Sequence, residues 1–169
     1  SVGIDRGVER FAALSDETII EAGNPLNKML DSLARLQRSL ARKVKFSNNW
    51  KKQKGKIGKL HGRIADARRD FLHKATTTIS KNHAIVVMED LQIGNMVRSA
   101  KGTIENPGKR VRQKAGLNRA ILDQGWGEFQ RQLGYKLEWA GGELILVHPA
   151  YTSQECPVCH HVSPENRKT

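Results

Sequence analysis

The sequence predicts an α/β fold built on a mixed sheet, and three observations carry that prediction. Short strand-like runs open the chain, and a second apolar, β-branched run, Ala84-Ile85-Val86-Val87-Met88-Glu89, returns much later. Between them lies a long stretch whose apolar residues recur at helical spacing. A β-branched run with no polar alternation suits a central parallel strand buried on both faces.

The elements follow in order. Ser1 to Asp5, Arg10 to Leu14 and Thr18 to Ala22 read as a three-strand antiparallel meander, with Ser15-Asp16 as its tighter turn. Asn24-Pro25 then gives an N-cap followed by proline at the first helical position, and Leu26, Met29, Leu30, Leu33, Leu36 and Leu40 mark a long amphipathic helix. Ser47-Asn48-Asn49 breaks it. A second helix is marked by Ile57, Leu60, Ile64, Ala67, Phe71, Ala75 and Ile79, spaced by threes and fours. Two antiparallel helices with a leucine-rich seam and basic outer faces are expected. Gly55, Gly58 and Gly62 each cost the second helix up to about 1 kcal/mol relative to Ala. Two readings of them stand: a close approach by a backbone or phosphate, or a helix that starts later.

After the Ala84 to Glu89 strand, Asp90 to Gly116 is long, polar and basic, the composition of a loop that is either functional or disordered. Leu117, Ile121, Leu122, Trp126, Phe129 and Leu133 mark a helix. Tyr135 to Ala140 and Glu143 to His148 read as strands joined by Gly141-Gly142. The tail from Pro149 to Thr169 is loop-rich. Three strands, a helical insertion, a strand, a helix and a strand together predict an RNase H-like fold over residues 1–148. The insertion spans about 25–82, and the first strand lies parallel beside the fourth.

Charge is the second strong signal. Lys and Arg number 29 against 17 Asp and Glu, a net charge of +12. Fifteen of the basic residues and only two acids fall between Arg35 and Lys81, so this segment carries the whole excess. A concentrated basic stripe is the footprint of nucleic-acid binding, whereas an ordinary solvated helix face mixes signs. The residues expected to grip phosphates are Arg35, Arg38, Arg42, Lys43, Lys45, Lys51, Lys52, Lys54, Lys56, Lys59 and Arg63, joined by Arg110 and Arg112 from the polar stretch. No run reaches the roughly 18 apolar residues of a membrane span, and no signal-peptide core opens the chain. A soluble, cytoplasmic, nucleoid-associated protein is expected.

Two acids end apolar strands: Asp5 in Gly3-Ile4-Asp5-Arg6-Gly7, and Glu89 in Val87-Met88-Glu89-Asp90. In open α/β sheets ligands bind outside the carboxyl ends of the strands. Carboxylates meeting there can hold divalent ions, and two ions about 3.5–4 Å apart stabilise the attacking and leaving oxygens when a phosphodiester is cut. Asp5 and Glu89 are therefore the expected catalytic ligands for Mg²⁺ or Mn²⁺. Asp90 reads as a turn residue, and His73, His83 and His148 read as structural. Trp50, Trp126 and Trp139 have the aromatic faces to stack on bases, but core packing is the commoner fate. Cys156 and Cys159 form a lone C-x-x-C that reads as metal or redox chemistry; a closed tetrahedral zinc site needs four ligands, and these would supply two.

Several segments taken together resemble the TnpB/OrfB proteins of insertion sequences. They are Gly3-Ile4-Asp5-Arg6-Gly7 with Arg10-Phe11-Ala12, Arg69-Asp70-Phe71-Leu72-His73-Lys74, Val87-Met88-Glu89-Asp90-Leu91, Gly125-Trp126-Gly127-Glu128-Phe129, and Thr152-Ser153-Gln154-Glu155-Cys156-Pro157-Val158-Cys159. They occur in that family's order along nearly the whole chain. The resemblance, which extends to type V CRISPR effectors, implies RNA-guided cleavage of DNA by a RuvC-like nuclease domain interrupted by a zinc ribbon. It implies DNA and guide RNA as partners, Asp5 as the first metal-binding aspartate, Glu89 as the glutamate, and Cys156 and Cys159 as half of the ribbon. The family pattern continues with a second C-x-x-C and a third catalytic carboxylate, neither of which occurs before Thr169. A nuclease-domain fragment, inactive by itself and ending in an incomplete ribbon over 149–169, is the resulting expectation.

Two other classes compete with it. Sugar kinases and actin-like ATPases also begin with Gly-Ile-Asp-x-Gly on a strand meander, but they need a second glycine-rich phosphate loop, and none follows Glu89. A non-catalytic nucleic-acid-binding module, with the basic hairpin as its working part, is the other alternative.

Overall fold

The computed structural model describes residues 1–149 and Ser163. Its strands are β1 (Val2–Arg6), β2 (Arg10–Leu14), β3 (Ile19–Glu21), β4 (Ile85–Glu89) and β5 (Glu143–Val147). Its helices are α1 (Pro25–Ala41), α2 (Asn48–Asn82), α3 (Ile93–Met96), α4 (Val111–Gln124) and α5 (Trp126–Trp139). The strands form one five-stranded sheet in the order β3-β2-β1-β4-β5. The meander β1-β2-β3 is antiparallel, whereas β1–β4 and β4–β5 are parallel. The expected mixed sheet, with the first strand parallel to the fourth, is therefore present.

Strand alternation decides which side chains enter the core. Val2, Ile4 and Arg6 of β1 point to one face with Val86 and Met88 of β4, and all five are buried. The cluster continues through Phe11 and Leu14 of β2 into Leu72, Ala75 and Ile79 of α2 and Phe129, Leu133 and Leu137 of α5. Phe11 meets Phe71 and Phe129 edge-on, each at 4.9 Å between ring centres, so two helices lock onto one strand through a single ring.

The helix α2 has 35 residues, about 52 Å at 1.5 Å per residue, and it works in two halves. Its C-terminal half packs on the sheet and on α5. Its N-terminal half stands away and pairs with α1, with Gln53 buried and its Nε2 donating to the Leu36 carbonyl across the seam. Ser47 caps α2 by accepting from the Trp50 N–H, and the helix runs without interruption through Gly55, Gly58 and Gly62. A later start is thus overturned, and a Cβ at any of the three glycines would meet nothing within 4 Å.

Asn24 precedes α1 as expected, but its side chain does not cap the helix. Asp123 does so instead from across the fold, accepting from the Leu26 and Asn27 N–H groups at 3.0–3.3 Å. Bound by Arg68 at 2.7 Å and only 4% exposed, this carboxylate joins α1, α2 and α4.

Three expectations need correction. The segment 135–140 is not a strand: Trp126, Phe129, Leu133 and Leu137 are buried at spacings of three and four, and α5 continues to Trp139. Gly141-Gly142 is accordingly no hairpin turn. Gly142 N–H donates to Leu137 O and Gly141 N–H to Glu138 O, the paired bonds of a Schellman cap, with Gly141 at φ 72°. The helix drawn from Leu117 to Leu133 is two helices, broken at Gly125. That residue has φ 73°, and a Cβ there would lie 3.0 Å from the Arg68 side chain. The polar stretch after Glu89 also contains structure, namely the single turn α3 and the start of α4. Lys114 and Asn118 of α4 hold it by donating to the carbonyls of Met96 and Val97.

Candidate functional site

The pairing Ile4↔Met88 sets the register of β1 and β4, so Asp5 and Glu89 follow one residue later on neighbouring parallel strands. Both acids alternate away from the buried face. Asp5 is exposed and Glu89 half-buried. They border one open depression of about 590 Å³ on the face of the sheet turned away from the core, lined also by Gly3, Ala13, Ser15, Val87 and Val147. Ala13, the antiparallel partner of Asp5, leaves the carboxylate uncrowded on that side.

Arg6 lies beneath this pair. Strand alternation turns it into the core, where it is 8% exposed, and its guanidinium donates to the backbone carbonyl of Glu89. Burial pushes its pKa down, while Glu89, Asp90 and Asp5 pull it back up. An arginine remains charged under such a shift. Its charge therefore offsets the acids from below while its hydrogen bond ties the end of β4 to the end of β1. Nε and Nη1 of Arg6 have no hydrogen-bond partner among the described residues. The sequence reading passed over Arg6, although its signal was available: position 6 shares a face with Ile4, so a cation there must be buried.

Asp90 turns the chain, as expected, with Gln92 Nε2 donating to its carboxylate at 3.3 Å. His83 is structural, paired with Asp16 at 3.2 Å. His73 contributes its backbone carbonyl to Lys136. The tryptophans divide: Trp126 is buried in the core, Trp50 is half-buried, and Trp139 is 80% exposed against Tyr135 at the end of α5.

The basic residues are placed together. Arg35 of α1 and Lys56, Lys59 and Arg63 of α2 line a second depression of about 590 Å³ between the two helices, with Ser32 and Ser39. No acid occurs between Asp31 and Asp66. Lys43 is half-buried, and Arg38, Arg42, Lys45, Lys51, Lys52 and Lys54 are exposed along the same hairpin. Arg110 and Arg112 are also exposed but lie apart, at the start of α4. Cys156 and Cys159 lie outside the described residues. Among the described residues no group of three or more His, Cys, Asp or Glu side chains converges as a metal site would require, and no helix is long and apolar enough to cross a membrane.

A mixed α/β sheet with two acids at the ends of adjacent parallel strands, carrying a basic helical hairpin, is the class that this geometry defines. The family model OrfB_IS605, described as "Probable transposase", matches residues 1–100, and one described as "Cas12f1-like, TNB domain" matches residues 126–169. The chain belongs to the OrfB_IS605 family.

It is 59% identical over 166 residues to a protein of Escherichia coli K12 named "Putative RNA-guided DNA endonuclease InsQ", a match covering 98% of this chain and 41% of that protein. A Streptomyces pristinaespiralis protein named "Putative RNA-guided DNA endonuclease" is 36% identical, over 94% of this chain and 36% of its own length. The "TnpB-like protein MJ1635" of Methanocaldococcus jannaschii is 31% identical, over 94% and 34%. The chain thus spans about two fifths or less of these relatives. Among solved structures, the Cas12f1 chain of a Cas12f1–sgRNA–target DNA complex shares the fold with a TM-score of 0.54 at 19% identity, covering 96% of this chain and 39% of that one.

Proposed function

We propose that this chain is the nuclease-domain part of a transposon-encoded, RNA-guided, metal-dependent DNA endonuclease, with an RNase H-like (RuvC-like) core over residues 1–148 and part of a zinc ribbon over 149–169. The observation that carries the reading is the β1–β4 register, which brings Asp5 and Glu89 to one edge of one depression. The names of the relatives and the RNA-guided complex containing the structural neighbour support DNA and guide RNA as partners.

The donor set suits a hard cation. Mg²⁺ is commonly bound through one or two carboxylates together with substrate phosphates and waters, and the two acids offer oxygen donors on an accessible rim. Bound there, the metal would supply Lewis-acid stabilisation of the scissile phosphate and a more acidic water. The protein's own contribution is positional. Asp5 and Glu89 are held by neighbouring strands, Arg6 fixes the backbone of Glu89, and the basic hairpin offers its cations to the phosphate backbone. Cys156 and Cys159 would give two thiolates to zinc in a ribbon completed by further ligands.

The test is DNA cleavage in Mg²⁺ or Mn²⁺ by the protein extended to the full length of its reading frame and purified with the RNA it carries. Wild type is compared with Asp5→Ala and Glu89→Ala. Cutting that both substitutions abolish while circular dichroism is unchanged supports the reading. Cutting that survives them, or a wild type that cuts no DNA offered, replaces it with a nucleic-acid-binding module centred on the basic hairpin.

A further inference from the structure

The tip of the α1–α2 hairpin has a chemistry that phosphate binding does not use. In the turn that joins the helices, Val44 is 80% exposed and Phe46 is 66% exposed, both far from the core. Phe46 sits at φ 66°, a left-handed backbone that is uncommon and unfavourable for a bulky residue. Trp50 packs beside it in the first turn of α2, with ring centres 5.5 Å apart and planes tilted by 59°. Lys45 Nζ lies 5.2 Å from the centre of the Phe46 ring, and Lys54 Nζ lies 5.3 Å from that of Trp50. A turn selected only for solubility would place a polar residue or glycine at position 46.

We propose that this tip is a base-stacking platform for a single strand of nucleic acid, with Phe46 and Trp50 taking a nucleobase while the strand's phosphates follow the cationic groove away from the tip. Two observations and one general principle favour a nucleic acid over an apolar protein partner. From Arg42 to Arg63 the chain has nine Lys and Arg and no acid, so the aromatic pair lies within a positive field. The groove begins one turn beyond Trp50, and Lys56, Lys59 and Arg63 recur along it every three or four residues, about 5 Å apart on the axis. Aromatic rings interleaved with cations are also the general means of holding single strands, because every base has a π-face and every nucleotide a phosphate. The inference deepens the proposed function, on which it rests, by naming the surface and the form of nucleic acid that it takes.

The experiment measures binding of this chain to fluorescently labelled single-stranded RNA and DNA of one sequence, each with a version abasic at its central positions, over a range of salt. The variants are Phe46→Ala, Phe46→Trp and the pair Lys56→Gln with Lys59→Gln. Phe46→Ala should weaken binding to the intact strands about tenfold and leave both the abasic strands and the salt slope unchanged, and Phe46→Trp should restore affinity. The lysine pair should reduce the slope of log K against log salt by about 0.7 for each phosphate that is no longer neutralised. The RNA and DNA arms identify which strand the tip prefers. Equal weakening of intact and abasic strands by Phe46→Ala, or no weakening of either, overturns the proposal and leaves the tip as an apolar surface for protein. Because no step requires cleavage, failure here is distinct from failure of the Asp5 and Glu89 reading.

Discussion

Asp123 and Arg68 form an ion pair of 2.7 Å in which the carboxylate also receives the N–H groups of Leu26 and Asn27, at the start of a helix almost a hundred residues earlier in the chain. One buried acid therefore fixes where the hairpin leaves the sheet. Because its partners come from two helices, α1 and α2, and it stands on a third, α4, the effect of removing it is not confined to any one of them.

Asp123→Ala should cost about 3 kcal/mol of stability, combining removal of a cap with an arginine left without its partner. Urea unfolding followed by circular dichroism measures it. A cost below about 1 kcal/mol would show that water replaces the carboxylate without penalty.

Glu128 gives the clearest pH dependence. Hydrogen bonds from Arg131 and Gln132 hold its carboxyl down at about 2, against an ordinary 4.5. A depressed carboxyl contributes stability that is complete above its unfolded value and is lost as pH falls through its folded one, so this contribution should fade between about pH 4.5 and 2. Glu128 is 41% exposed, which limits the effect to about 0.5 kcal/mol. In Glu128→Gln the unfolding midpoint should fall slightly at pH 7 and match wild type near pH 2.

Gly58→Ala should stabilise the protein by about 0.5–1 kcal/mol, because the added methyl meets nothing and the helix loses a flexible residue. Thermal unfolding reads the gain. If the same substitution weakens oligonucleotide binding, the glycine marks a close approach by the ligand's phosphate, the reading of these glycines that an uninterrupted helix leaves standing.

Asp5→Asn separates metal binding from catalysis. If the acidic rim binds Mn²⁺ or Mg²⁺, the melting temperature of wild type should rise with the logarithm of metal concentration above the Kd, and the variant should lose that rise. An unchanged rise would place the bound cation elsewhere.

The sequence by itself determined the meander, both hairpin helices, the strand that ends in Glu89, and the concentration of positive charge, because each rests on local periodicity or composition. It missed α5 beyond Leu133. The run Tyr135-Lys136-Leu137-Glu138-Trp139 satisfies a period of two as well as 3.6, and only the burial of Leu137 against the core decides for a helix. Gly141-Gly142 was likewise ambiguous until the preceding carbonyls showed a cap. The acids at the strand ends were legible as types. The order of elements predicted that their strands would pair in parallel across the whole hairpin, but the register that brings them to one depression is a long-range contact that no local pattern encodes. Asp123 and the Phe46 tip belong to the tertiary structure for the same reason, whereas the burial of Arg6 follows from its sharing a strand face with Ile4. A distant cap and an aromatic left in solvent are defined by what surrounds a residue, and the neighbours that surround it come from elsewhere in the chain.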